Sequence, residues 1–277
     1  IIRGKEHVTN TVRQKYMYDH LGWDYPETIH YGRLKVEDAD LSKSKILRSI
    51  LEGRVGGFDD PRLATLMALR RRGISPKALR KIAVDIGPKA VDITLSWENI
   101  YAANRKIVDR HANRYFFLKD PIELRVAEVP KTFVSRPLLH PDFPERGYRV
   151  FHLQPADGQL SLLVSRSDIL HIRDEGVARL MELFNVKLSN SQRYEANYLS
   201  ESLAEGREKG ARLIHWLPQE GNVSVSVMMP SGAVIEGVGE PAIRSEKVDA
   251  TVQLVRFGFA RVDHFEDERV RLCFAHP

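Results

Sequence analysis

The hydrophobic pattern of this 277-residue chain changes at about residue 119. Before that point, apolar side chains recur every three or four residues, as in 63–72 and 96–114. Beyond it, short alternating runs such as 122–126 and 223–228 are separated by Pro, Gly and Asp. A repeat near 3.6 residues is typical of helices, and a repeat of two is typical of strands. The pattern therefore predicts a multidomain α and β protein in which a β-rich part with one or two barrels follows a largely helical part.

Composition narrows the class of protein further. Hydrophobic residues make up 43% and charged residues 29% of the chain, and no apolar run approaches the ~20 residues that span a bilayer. A single cysteine, Cys273, excludes an intrachain disulfide and fits a reducing cytoplasm. The net charge of +5 fits either a polyanionic partner or an ordinary solvated surface. The first residues, Ile1 and Ile2, are neither a signal peptide nor a natural start, so we expect a portion of a longer protein.

Local signals divide the chain into residues 1–48, 49–118 and 119–277. In the first part we expect a helix over 10–21, a short strand near 28–31 and a polar loop over 33–45. In the second part, Asp59-Asp60-Pro61 has the composition of a helix start and Gly73 that of a helix end. Further helices are predicted to begin after Ser75 and Ser96, the latter continuing through Arg114.

Two basic segments are candidate phosphate-binding elements. Ser42-Lys43-Ser44-Lys45 follows a β-like stretch, and such hydroxyl and ammonium groups can wrap a polyphosphate, although a solvated loop has the same composition. The flanking glycines of a P-loop are missing. Arg70, Arg71 and Arg72 end the helix before Gly73, where they either complement the helix dipole or face phosphate.

The order of these elements resembles a known family. The series runs from Ile2-Arg3-Gly4-Lys5-Glu6-His7 through Leu21-Gly22-Trp23 and Gly32-Arg33-Leu34 to Leu41-Ser42-Lys43-Ser44-Lys45. It resembles the second half of the Rossmann-like nucleotide-binding domain of class I glutamyl- and glutaminyl-tRNA synthetases. Their Lys-Met-Ser-Lys-Ser signature aligns with Asp40-Leu41-Ser42-Lys43-Ser44, so that Asp40 replaces the first lysine and Leu41 the methionine.

The resemblance implies roles for individual residues of the first two parts. Lys43 is the implied catalytic cation that stabilises the α-phosphate during amino-acid activation, and residues Leu41 to Ser44 are the implied ATP loop. Arg3 matches an arginine near the bound glutamate. The implied stem contact, at the inner corner of the L-shaped tRNA, is made by Arg70, Arg71 and Arg72.

The β-rich part resembles the paired anticodon-binding barrels of archaeal glutamyl- and of glutaminyl-tRNA synthetases. The resemblance rests on a His-Pro…Pro…Gly…Arg pattern over 140–149, an Ile-His-Trp element over 214–216 and a Gln-x-x-Arg-x-Gly element over 253–258. It implies that Arg149, Gln253 and Arg256 contact anticodon bases, whose edges a single-stranded loop exposes. His215 and Trp216 are expected in a barrel core.

The implied function is that of an archaeal-type glutamate–tRNA ligase, which attaches glutamate to tRNA(Glu) through glutamyl-adenylate. The full enzyme would use ATP and Mg²⁺, neither of which we expect this chain to bind tightly. The first-half element His-x-Gly-His does not occur, so we expect mainly tRNA and anticodon binding, without DNA or membrane partners. Whether tRNA(Gln) is also a partner stays open.

Two alternatives are kept. A glutaminyl-tRNA synthetase shares the barrels, but Ser96-Trp97, Asn104-Arg105 and the segment 112–117 look more like the archaeal glutamyl form. A non-catalytic tRNA-binding module is the other. No spacing of histidines or Gly-x-Ser-x-Gly element indicates a second chemistry, and no metal site is predicted.

Overall fold

A computed structural model describes residues 1–172, 176–189 and 194–277. The chain divides into two compact units, residues 1–108 and 109–277. Within the described residues, no helix is long and apolar enough to cross a membrane.

The first unit contains five helices and four short strands. The helices are α1 (Val8–His20), α2 (Lys43–Leu51), α3 (Leu66–Arg72), α4 (Pro76–Ile86) and α5 (Trp97–Val108). The strands are β1 (Ile2–Gly4), β2 (Ile29–Tyr31), β3 (Leu34–Val36) and β4 (Ile93–Leu95). β1 pairs with β2, and β3 with β4, both in parallel, and a single 3-10 turn, Lys5–His7, precedes α1.

Helix α3 begins at Leu66, so the helix start predicted at Asp59–Pro61 is wrong. The Asp60 carboxylate instead accepts a hydrogen bond from the backbone N–H of Gly56 (2.8 Å) and pairs with Arg62 (2.7 Å). These contacts hold the pKa of Asp60 well below its usual range, and the hydrogen bonds from the Arg62 side chain make the largest contribution. They also close residues 56–62 into a loop. The helix is capped by Thr65, whose Oγ1 accepts from the N–H of Ala68 at 3.0 Å.

Of the other predictions for this unit, those for helix boundaries at Gly73, Ser75 and Ser96 are confirmed and two others are wrong. Gly73, with φ of +90°, ends α3 as predicted, and Ser75 and Ser96 precede α4 and α5. The predicted polar loop over 33–45 is wrong in two places, since it contains β3 and the first turn of α2. The predicted extension of α5 to Arg114 is also wrong, because the helix ends at Val108.

The second unit consists mainly of strands. They are β5 (Asn113–Tyr115), β6 (Phe117–Lys119), β7 (Pro121–Ala127), β8 (Phe133–Ser135), β9 (Phe151–Leu153), β10 (Leu160–Ser165), β11 (Val177–Leu180), β12 (Asn185–Leu188), β13 (Glu195–Ser200), β14 (Arg212–Ile214), β15 (Trp216–Pro218), β16 (Val223–Met228), β17 (Val234–Gly239), β18 (Thr251–Leu254), β19 (Gly258–Phe265) and β20 (Arg269–His276). In the described part of this unit, two short helices, α6 (Arg166–Leu170) and α7 (Leu203–Glu208), and two 3-10 turns, Pro144–Arg146 and Pro241–Ser245, lie between the strands.

Most of these strands form two seven-stranded sheets within the described residues. The order of the first sheet is β14-β11-β12-β13-β7-β10-β15, and that of the second is β5-β18-β19-β20-β16-β17-β6. In each sheet the two edge strands follow one another in the chain, separated by one residue: His215 in the first sheet and Phe116 in the second. Each sheet therefore curls until its two edges approach, which removes exposed edges.

Residues 113–119 show why the sequence placed the helical part too far along the chain. Their bulky side chains Tyr115, Phe116, Phe117 and Leu118 are all buried, so no alternation marks them as strands. Tyr115 and Phe117 belong to the core of the second sheet, whereas Phe116 and Leu118 belong to the core of the first. One short segment thus joins the two cores.

Candidate nucleic-acid interface

A cavity of about 300 Å³ lies in the second unit where segments of both sheets meet. Arg149, Gln253 and Arg256, which the sequence predicts as base-contacting residues, all line it. Arg114, Arg136 and Glu182 line it as well. The structure thus brings Arg149 together with Gln253 and Arg256, which lie more than a hundred residues later in the sequence.

Arg256 enters the cavity from the turn after β18. Its φ of +62° lies in the left-handed region, which few residues other than glycine adopt. Its Nη1 and Nη2 donate to the two carboxylate oxygens of Asp168 at 2.6 and 2.7 Å, and Nη1 also lies 3.2 Å from Nδ1 of His215. The guanidinium is therefore fixed by a forked ion pair while about 30% of the side chain stays exposed.

Arg149 is more deeply buried, with 7% of the residue exposed. Its Nη1 pairs with the carboxylate of Glu240, and its guanidinium lies 4.8 Å from the centroid of the Phe116 ring. Burial raises the pKa of Glu240 to about 7, and it lowers that of Arg149. Because so little of Arg149 is exposed, the predicted contact with a base could be made only by the part of the side chain that lines the cavity.

Several buried polar atoms around this cavity have no hydrogen-bond partner in the described part of the chain. They are Oε1 of Gln253 and the Nε atoms of Arg114 and Arg149. Gln253 and Arg114 are register partners on neighbouring strands, β18 and β5. All three atoms are closed off from solvent, so they lie beneath the surface of the cavity.

The sequence analysis missed Arg136 and Tyr148. The Arg136 guanidinium lies 5.4 Å from the centroid of the Tyr148 ring, and 52% of Tyr148 is exposed. Arg136 also lines the cavity. An exposed arginine–aromatic pair beside a polar cavity offers a face on which a base can stack. Arg136 lies outside the motifs that carry the resemblance, and Tyr148 lies within the segment 140–149 but at a position that the pattern does not specify.

The lysine loop lies in the first unit, at the start of α2. Ser42 is the residue before the helix, Lys43 is its first residue, and Leu41, Lys43 and Ser44 are exposed. Asp40 accepts from the backbone N–H of Ser42 at 2.9 Å and pairs with Lys45 at 3.1 Å, which lowers the pKa of Asp40. Asp40, one of the two residues that depart from the family signature, therefore holds the loop together, while the Lys43 side chain is exposed to solvent.

Arg3 lies in a small polar cluster of the same unit. Its Nη1 donates to Oε1 of Gln14 at 2.8 Å and to Oγ1 of Thr11 at 3.2 Å. Thr11 Oγ1 lies 2.9 Å from Nε2 of His30, the register partner of Arg3 on β2. The arginine is half-buried and has directed partners, which is the arrangement that a carboxylate-binding arginine needs.

The three arginines of α3 occupy different environments. Arg70 is exposed, and Arg71 pairs with Asp59 at 3.1 Å. Arg72 is only 1% exposed, with its guanidinium 4.9 Å from the centroid of Trp97 and its Nη2 donating to the Tyr101 hydroxyl at 2.8 Å. The predicted RNA contact of Arg72 is therefore corrected: as the chain is folded, this side chain packs the first unit.

Three family models match the chain in succession. Residues 1–110 match the catalytic domain of class I tRNA synthetases (E and Q), and residues 112–203 and 213–263 match two anticodon-binding domains of the same group. The boundary between the first two matches lies close to the boundary between the two units.

Curated relatives agree with these models. The chain is 42% identical to a glutamate–tRNA ligase of Methanopyrus kandleri, 47% to that of Methanothermobacter thermautotrophicus and 43% to that of Pyrococcus furiosus. The alignments cover 95–100% of this chain but 45–48% of the relatives, so the chain spans about half the length of the curated relatives it matches. With its ordered motifs, its consecutive domain matches and this similarity, the chain belongs to the class I tRNA synthetases of the E and Q group, and within that group it is similar to the archaeal glutamate–tRNA ligases.

Proposed function

We propose that the chain is part of a glutamate–tRNA ligase, which attaches glutamate to tRNA(Glu) in an ATP-dependent reaction through glutamyl-adenylate. Its own contribution is mainly to bind the tRNA and its anticodon. The single observation that carries this proposal is the cavity in which Arg149, Gln253 and Arg256 converge. Such an enzyme works in the cytoplasm, where tRNA is charged.

The polar lining of the cavity supports base recognition. A base edge carries donors and acceptors side by side, and the cavity is lined by Gln253, whose amide can both donate and accept, and by Arg114 and Arg149, whose guanidinium groups donate. Arg136 and Tyr148 add a stacking face at the rim. In this proposal the second unit forms the two anticodon-binding barrels, each built on one seven-stranded sheet. The predicted purely antiparallel arrangement is wrong, because β7–β13 and β11–β14 in the first sheet and β5–β18 and β16–β20 in the second pair in parallel.

The first unit supplies the tail of the Rossmann-like catalytic domain and the stem-contact region. Lys43 is the proposed cation for the α-phosphate of ATP, with Leu41, Ser42 and Ser44 as the rest of the loop, and Arg3 is proposed to face glutamate. The exposed Arg70 and, at the helix edge, Arg71 are the proposed contacts to the tRNA backbone. Arg72 holds this helix on Trp97 and Tyr101.

Magnesium enters this proposal only with ATP. Among residues 1–172, 176–189 and 194–277, no group of three or more His, Cys, Asp or Glu side chains could hold a metal ion. A magnesium ion that enters with its nucleotide is held largely by phosphate oxygens and water, so we derive no step through a protein-bound magnesium site.

Binding of a tRNA(Glu) transcript tests the proposed function. We expect the chain to shift the transcript in an electrophoretic assay, with an affinity that falls as salt is added, because salt screens the contacts to phosphate. We expect weaker binding when the anticodon bases are substituted, because the contacts to those bases are lost. Arg256→Ala should remove most of the dependence on the anticodon.

Arg125→Ala is the matched control, since Arg125 is an exposed arginine paired with Glu123 at 3.2 Å and does not line the cavity. It should keep the dependence on the anticodon. Equal affinity for cognate and substituted transcripts in the unmodified chain would contradict the proposed function.

Activation chemistry tests the division of labour. The chain lacks a His-x-Gly-His element, so we expect no glutamate-dependent ATP–pyrophosphate exchange from the chain alone. Exchange by the chain alone would contradict this part. Comparing glutamate with glutamine, and tRNA(Glu) with tRNA(Gln), in the full-length enzyme separates the glutamyl from the glutaminyl activity.

A further inference from the structure

Asp168 lies outside every motif that carries the family resemblance, yet it is the central partner of Arg256. It belongs to the short helix α6, which follows β10 of the first sheet, and it is 5% exposed. Its two oxygens accept from Nη2 and Nη1 of Arg256 at 2.7 and 2.6 Å. A forked pair of this kind fixes both the position and the plane of a guanidinium.

His215 holds the same guanidinium from another side. Its Nε2 lies 2.6 Å from the backbone oxygen of Phe117, and since a carbonyl can only accept, Nε2 carries the proton. Burial lowers the pKa of His215, which favours the neutral ring. In that tautomer Nδ1 is an acceptor, and it lies 3.2 Å from Nη1 of Arg256.

These contacts leave Arg256 a restricted set of donors. Both Nη1 hydrogens are directed, one to Asp168 and one to His215, and one Nη2 hydrogen is directed to Asp168. The second Nη2 hydrogen and the Nε hydrogen are outside these three bonds. The net charge of the Asp168–Arg256 pair is zero. The pair therefore contributes hydrogen-bond donors of fixed direction to the cavity, and no net positive charge.

We propose that Asp168 is a positioning residue for anticodon recognition: by holding Arg256 in one orientation and cancelling its charge, it makes this arginine select a base edge rather than attract phosphate. This inference rests on the proposed function of the cavity. It predicts that Arg256 contributes to discrimination between anticodons and contributes nothing to the salt dependence of tRNA binding.

A double-mutant cycle with Asp168→Asn and Arg256→Lys tests the inference in the 277-residue chain. The readout is the ratio of affinities for a tRNA(Glu) transcript and for transcripts with one substituted anticodon base, measured over a salt series. We expect each single variant to lower this ratio by about tenfold at one anticodon position, the ordinary size of one directed base contact. We expect the double variant to lower it no further, because both changes remove the same orientation.

A merely structural role would give a different result. It would lower the thermal unfolding midpoint but leave the ratio unchanged at every anticodon position. Asp120→Asn is the matched control, since Asp120 pairs with Arg166 at 2.9 Å on the surface and both side chains are exposed. It should leave the ratio unchanged.

The outcomes separate the two proposals. If Arg256→Lys leaves the ratio unchanged, the proposed function of the cavity is wrong. If Arg256→Lys lowers it but folded Asp168→Asn does not, or if the effects of the two variants multiply, the positioning role is wrong.

Should Asp168→Asn fail to give a folded circular-dichroism spectrum, Asp168→Glu replaces it. This variant keeps the charge and displaces the carboxylate by one methylene. A lowered ratio with an unchanged salt slope supports the positioning role, and an unchanged ratio overturns it.

Discussion

The basic side chains of the two units differ in how they are held. In the first unit, Lys43 and Arg70 are exposed, and the neighbouring Lys45 pairs with Asp40 on the surface. In the second unit, Arg149 and Arg256 are paired with the buried carboxylates of Glu240 and Asp168. An exposed cation attracts phosphate over about one Debye length, and added salt screens this attraction. A buried ion pair has little net charge, so it affects binding through the fixed position of its side chains. The comparison teaches that a count of arginines does not identify an RNA-binding surface.

Breaking the most buried pair should have the largest effect. Glu240→Ala leaves the Arg149 charge without its partner and the N–H of Phe116 without its acceptor. We expect the free energy of unfolding of the second unit to fall by about 3–5 kcal/mol, measured by urea denaturation. Glu236→Ala, which breaks the exposed contact with Arg269, should change it by less than about 1 kcal/mol. Equal effects of the two would contradict the difference between buried and surface pairs.

The arginines of α3 allow the comparison within one helix. Arg72→Lys loses the planar contact with Trp97 and the directed bond to Tyr101, and we expect the free energy of unfolding to fall by about 1–3 kcal/mol. Arg70→Lys is the control, because the exposed side chain should tolerate the change. Thermal unfolding of both variants provides the measurement, and a larger loss in Arg70→Lys would reverse our assignment.

The pH dependence of stability tests whether burial dominates at Glu240. With a folded-state pKa near 7 and an ordinary unfolded value of 4.5, the folded protein keeps a proton that the unfolded chain releases between these values. The stabilising contribution of this group is therefore complete below about pH 4.5 and is lost as the pH rises to about 7. Glu240→Gln should remove this fall, which is on the order of 2–3 kcal/mol between pH 5 and pH 7.5. Urea denaturation at pH 5 and at pH 7.5 measures it, and parallel profiles of the two proteins would contradict it.

The smallest effect concerns the exposed arginine of α3. Arg70→Ala should weaken tRNA binding by the same factor for every anticodon and reduce the slope of log affinity against log salt by about 1 or less. Arg256→Lys should instead change discrimination and leave the slope unchanged. Filter binding over a salt series distinguishes the two, and a common response of both variants would remove the distinction between them.

Several parts of the molecule were predictable because they depend on neighbours in sequence. Gly73 ends α3 in the left-handed conformation, and Ser75 and Ser96 begin helices, since caps act over one turn. The order of the motifs was enough to identify the family. The predicted start of α3 was wrong because Asp60 can either cap a helix or close a loop, and the local sequence does not distinguish the two. In the structure it pairs with Arg62 and Gly56, which closes the loop.

What the sequence by itself determined is the change from helical to alternating periodicity and the family, because both follow from residue types at short spacing. Only the tertiary structure decided which arginines are available to RNA. Arg149 meets Glu240 across 91 residues and Arg256 meets Asp168 across 88, and no local pattern encodes such pairs. The physical reason is desolvation: a buried charge needs a partner, and the fold alone determines which carboxylate comes close enough to provide it.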